Sequence, residues 1–249
     1  WAVDVASGTV GCNVNIARYV EIAGQFSGSL TSQAGTTWDS DWEDPECPGM
    51  QTTVSVSDAH FDGYTADIAL RCWVLNWVWD PSTGYAVGLG VGYLYQDFQW
   101  DDSNLDQWYP TEPGLGHDIE LGNVASYKAE ASMPYLELSG EMRMPWMSFY
   151  GSLGYSPNAQ VKDEDDHKLR YILAKTDASG DAVKMTLQCR YDYDQYVFAL
   201  IRADFMSYDV DGTEHDLVYA GSDVGQTWTI EHKITSVQEN ITLALGLKF

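Results

Sequence analysis

The 249 residues carry 37 Asp and Glu against 13 Lys and Arg, a formal charge of −24. That balance excludes a nucleic-acid binder, whose phosphate contacts need Lys and Arg, and favours a cationic partner. No stretch of about 18 apolar residues is present, which excludes a membrane-spanning helix.

No Pro/Gly/Ser-rich linker divides the chain, so residues 1–249 read as one domain. Residues 9 to 17 alternate through Val10, Cys12, Val14 and Ile16, and after a reversal near Arg18 so do residues 20 to 30. A polar segment, 31 to 60, contains Trp38, Asp39, Ser40, Asp41, Trp42, Glu43 and Asp44. Alternation resumes from Tyr64 to Val74, turns at Asp80 to Gly84, and returns from Tyr85 to Tyr95. Gly88, Gly90 and Gly92 alternate with apolar residues and no helix follows, so they read as small lumen-facing positions rather than a nucleotide loop.

A second polar segment spans 99 to 124, followed by a strand from Tyr127 to Met142 with a bulge expected at Pro134. Met147 to Tyr155 leads to the acidic run Lys162 to His167, and 169 to 191 forms the next strand, blurred around Asp177 to Asp181. Residues 196 to 206 ascend, 207 to 226 read as a loop, and Trp228 to Phe249 closes the series with a bulge expected near Gln238. In the last ten residues Ile241, Leu243, Leu245, Leu247 and Phe249 hold every second position, which gives one apolar face and one small or polar face. Cys12, Cys72 and Cys189 share the phase of their apolar neighbours and read as small outward hydrophobes.

Connections alternate short and long, as in an all-β, antiparallel up-and-down transmembrane β-barrel of the bacterial outer membrane. About nine strands are present. Counting back from a periplasmic C-terminus leaves Trp1 at the extracellular end, so one N-terminal strand is expected to be missing from this chain. The same sidedness puts Asp39 and Asp41 on one extracellular loop and Asp163, Asp165 and His167 on another. An Asp that orients a His, opposed by an acidic pair, suits proton abstraction from water. The acids also fit a solvated face, or a loose calcium loop lacking the Gly and closing Glu of an EF-hand. HExxH and GxSxG spacings are absent, so zinc and serine hydrolase readings are poor.

The run Trp38 to Asp44 resembles the acidic-pair motif of the omptins, outer-membrane aspartyl-type endopeptidases, and Asp163 to His167 is similar to their Asp–His segment. Trp73 to Asn76, Gly88 to Tyr93, Tyr127 Lys128, Met133 to Tyr135 and Gly246 to Lys248 add agreement in family order. The resemblance implies a ten-stranded barrel in the outer membrane with its site facing outward, no metal or cofactor, and a monomer in outer-membrane lipid that cleaves peptides or proteins beside basic residues. It casts Asp39 and Asp41 as the opposed pair, His167 as base, Asp165 as its partner and Asp163 as an acid for a basic side chain. It also implies activation by lipopolysaccharide, for which Tyr93 fits, whereas the expected basic positions read Asp97 and Glu130. Two other readings stand beside it: a barrel that binds cationic peptides or host proteins without cleaving them, and a passive pore with a wet lumen.

Overall fold

The structure, a computed structural model, describes residues 4–17, 19–41, 49–80 and 83–248. Trp1, Arg18, Trp42 to Asp44, Pro81, Ser82 and Phe249 lie outside them. Its strands are β1 (Ser7–Ala17), β2 (Val20–Ser29), β3 (Gln33–Asp41), β4 (Thr53–Asp80), β5 (Thr83–Trp108), β6 (His117–Met144), β7 (Met147–His167), β8 (Ile172–Asp192), β9 (Val197–Val218) and β10 (Thr227–Leu247). They pair antiparallel in the order β1-β2-β4-β5-β6-β7-β8-β9-β10, with β3 on β4. Among the described residues β1 and β10 do not pair with each other.

The tenth strand is the second one resumed. β2 pairs with the lower part of β4 as far as Gly28 and Tyr64, and β3 takes up the same edge of β4 from Gln33 and His60 to Asp41 and Thr53. The register shifts within β3 between Gln33 and Thr36, with Gly35 at a φ of 93°, a left-handed conformation that favours glycine. Among the described residues the wall therefore has nine positions.

One expectation is corrected throughout: most of the polar segments are strand. β4, with 28 residues, far exceeds the roughly 9–11 that cross a bilayer. Segments 31–60, 99–124 and 207–226 mostly belong to β3 to β6 and β9. Hydrophobic alternation stops where the outward side chains leave lipid, but the backbone ladder does not. For the same reason Asp163 to His167 end β7 and Asp39 and Asp41 end β3, not loops. The bulge at Pro134 is present as a register shift between Ser132 and Leu136. The one expected near Gln238 is not: β9 and β10 stay in step from Thr227 to Leu247, and Glu239 interrupts an outward row in which Val237 above it is again apolar and exposed.

The outward face is an apolar belt in which Ile241, Leu243, Leu245 and Leu247 are exposed alongside Val10, Val14 and Ile16. Cys12 and Cys72 are exposed free thiols on it. Inside, Gln96 and Gln238 exchange amide hydrogen bonds of 2.7 and 3.2 Å between β5 and β10, which curls the sheet across its own interior. Lower down, Arg71 lies between Glu21 (2.9 Å) and Glu137 (2.5 Å), while Asp67 takes Lys184 and the Tyr135 hydroxyl, the latter at 2.7 Å. Gly92 leaves the space that the Tyr135 ring fills. An interior packed in this way is the opposite of the wet lumen a passive pore needs.

The Glu137 side chain is only 1% exposed, so its charge depends on Arg71. Arg71→Met strands two buried carboxylates and should cost about 3–5 kcal/mol. Urea unfolding in lipid vesicles measures it, and a midpoint equal to the wild type would contradict this account.

Candidate active site at the barrel mouth

The site is built on register rows that run across the wall above the apolar belt. Asp102, Ala125, His167 and Ile172 form one row, and Trp100, Tyr127, Asp165, Ala174 and Asp216 the row beneath. Asp165 and His167 are two residues apart, so strand alternation puts both on one face. They meet at 3.2 Å, Asp165 Oδ2 to His167 Nε2. Asp163 continues that face and accepts a hydrogen bond of 2.7 Å from the Tyr127 hydroxyl.

Across the mouth, Thr37 on β3 donates a 2.9 Å hydrogen bond to Asp102 on β5. Asp39 shares the face of Thr37, is exposed, and accepts a 2.9 Å hydrogen bond from the Ser40 amide. Asp41 pairs with Thr53 in the ladder, and its side chain lies outside the described residues. The two parts of the site sense each other. The hydrogen bond that His167 donates to Asp165 raises the pKa of His167 above its ordinary value, burial opposes the rise, and the charges of Asp165 and Asp39 add to it while Arg170 subtracts. Asp39, Asp165 and His167 thus lie within electrostatic reach of one another.

Asp102 was not anticipated. It is 5% exposed, and burial raises its pKa against the hydrogen bond from Thr37, with the charges of Asp165 and Asp39 raising it further. Glu214 and Asp216 on β9 also face the mouth, and His232 Nδ1 holds Glu214 Oε2 at 2.8 Å. All lie in or beside segments whose outward residues are polar, which hid the strands. The i, i+2 spacing of Glu214 and Asp216 was the signal that could have shown them on one face.

On the outer wall Tyr93 is exposed and level with Ile68 and Pro134. Asp97 and Glu130 pair in register and share Lys128, whose Nζ lies 2.7 Å from Glu130 and 3.9 Å from Asp97. The two carboxylates thus meet a cation beside them, although neither is itself basic.

The apolar belt, the antiparallel ladder and the acidic mouth define an outer-membrane β-barrel. The omptin family model matches residues 2–249, and the chain belongs to that family. Protease 7 of Escherichia coli O157:H7 is 28% identical over 145 residues, 56% of this chain and 44% of that protein. The plasminogen activator of Yersinia pestis is 24% identical over 155 residues, 61% of this chain and 47% of that protein. The crystal structure of the outer membrane protease OmpT from Escherichia coli has the same fold, with a TM-score of 0.83 at 20% identity over 99% of this chain and 84% of that one. The chain spans less than half the length of the curated relatives it matches.

Because the pKa of His167 is raised on folding, its pair with Asp165 stabilises the fold fully below the ordinary imidazole value of 6.5. That contribution is lost as pH rises through the elevated value. Asp165→Asn should bring the His167 pKa down, as followed by imidazole NMR. An unchanged titration would remove Asp165 as its cause.

Proposed function

We propose that this protein is an endopeptidase of the omptin type, which uses an activated water to cleave polypeptides beside or between basic residues on the extracellular side of the outer membrane. The observation that carries the reading is the 3.2 Å contact of Asp165 with His167, on a rim where the charge of Asp39 also reaches the imidazole. Nε2 is committed to Asp165, so Nδ1 is the nitrogen left to accept a proton.

In this mechanism Asp39 and Asp41 hold a water against the scissile carbonyl. Its oxygen attacks the carbonyl carbon as one proton passes to His167, and Asp165 stabilises the imidazolium that results. The tetrahedral intermediate collapses with cleavage of the C–N bond, and His167 returns the proton to the departing amine. The formal charge of −24 and the acids at the mouth support a cationic peptide as substrate. Asp163 supplies charge for its basic side chain.

A fluorogenic peptide containing an Arg-Arg pair tests the proposal on the full chain in outer-membrane lipid. Turnover is expected, and His167→Ala should lower kcat by roughly 10²–10⁴-fold, with Asp39→Ala also strongly impaired. Tight binding of the peptide without turnover would instead identify a capture barrel.

The pH dependence has a definite sign. Protonation removes the base, so kcat/KM should fall as pH drops through the raised pKa of His167. A rate independent of pH across the mildly acidic range would exclude His167 as base.

A further inference from the structure

Asp39 rides on a strand secured along one side. Among the described residues β3 is laddered to β4 alone, and the register slips at its base around Gly35. The hydrogen bond that Asp39 accepts comes from the adjacent Ser40 amide, within β3 itself, so the carboxylate goes wherever that strand goes. Repulsion acts on it as well, because the charges of Asp39 and Asp165 both bear on Asp102.

Against this stands a side-chain bridge. The Thr37 hydroxyl donates to Asp102 Oδ1 at 2.9 Å, and both residues are buried. Thr37 pairs with Ser57, and Ala59 pairs with Asp102, so the bridge passes over β4 between strands roughly 10 Å apart. Ser57 and Ala59 are the buried inward residues of β4 beneath it, and their small side chains leave the two groups room to meet. The Ser57 hydroxyl also hydrogen-bonds Asp102.

On β5 the ladder slips directly above Asp102, against β4 between Val56 and Asp58 and against β6 between Asp102 and Leu105. Asn104, at a φ of 58°, secures the slip: its amide donates to Asp58 at 2.9 Å and accepts from the Gly122 N–H at 3.3 Å. An irregularity of this kind re-aims the side chains beside it. Below it Asp102 pairs in register with Ala125, and Ala125 with His167.

We infer that Asp102 is a positioning residue: through Thr37 it holds β3, and with it Asp39, at a fixed distance from the row that carries His167. A hydrogen bond to a carboxylate, made where water does not compete, is strong enough to fasten a strand end. The inference rests on the hydrolytic reading above, in which Asp39 and His167 act on one water.

Hydrogen exchange separates the two claims. Exchange of the β3 and β7 amides is followed on the full chain in outer-membrane lipid, beside turnover of the Arg-Arg peptide. Thr37→Val keeps the side-chain shape and changes no charge; it should speed exchange of residues 36–41 about tenfold while β7 stays slow. The same variant should lower kcat about tenfold with little change in KM, because Asp39 serves the attacking water. Thr37→Ser should restore both. Asp102→Ala should repeat the loss, whereas Asp102→Asn, whose amide oxygen still accepts from Thr37, should keep β3 slow, so the test survives if one variant fails to fold. Exchange of β3 unmoved in Thr37→Val and Asp102→Ala, an equal acceleration in β7, or a faster β3 in an active enzyme whose kcat does not change would overturn the inference. If the wild type does not cleave, the exchange result decides the inference by itself, and the missing turnover counts only against the hydrolytic reading.

Discussion

In hydrocarbon there is no water to satisfy a backbone N–H or C=O, so each strand must find its partners in its neighbours. Everything else in this molecule follows from that ladder. It sets the alternation of outward apolar and inward small or polar residues, and it does not stop where the lipid stops. β4 to β10 carry the ladder beyond the apolar belt, and the acids of the mouth sit on this extension. The geometry of the site is therefore inherited from a scaffold whose regularity the membrane demands.

The interior shows how charge is tolerated under those conditions. Arg71 with Glu21 and Glu137, and Lys184 with Asp67, are matched pairs within the lumen. At the mouth the matching fails: Asp163, Asp165 and Glu214 meet two imidazoles, a phenol and a threonine hydroxyl. Neutralised below and uncompensated above, the inward surface directs its excess negative potential to the rim, where it can steer a cation.

The lipid-facing part of the fold was legible in the sequence because the solvent there imposes a period of two, as in Ile241, Leu243, Leu245 and Leu247. Above the belt both faces are wet. The pattern around 99 to 124 and 207 to 226 then looks like loop, although β5, β6 and β9 run through most of it. Asp165 and His167 could be read because a short motif carried them. Asp102 could not: its partner Thr37 is 65 residues away in the chain, and only the pairing of β4 with both β3 and β5 brings the two together.

The resumption of β2 as β3 makes the two halves of the mouth mechanically unequal. β7 is bonded on both sides, to β6 and to β8, so the imidazole and its carboxylate ride on a braced plank. β3 is laddered to β4 alone among the described residues, and a kink at Gly35 sits at its base. A strand fastened along one side opens more readily than one fastened along two. The mouth thus has an anvil and a yielding jaw, and movement of the jaw leaves the imidazole and its carboxylate undisturbed.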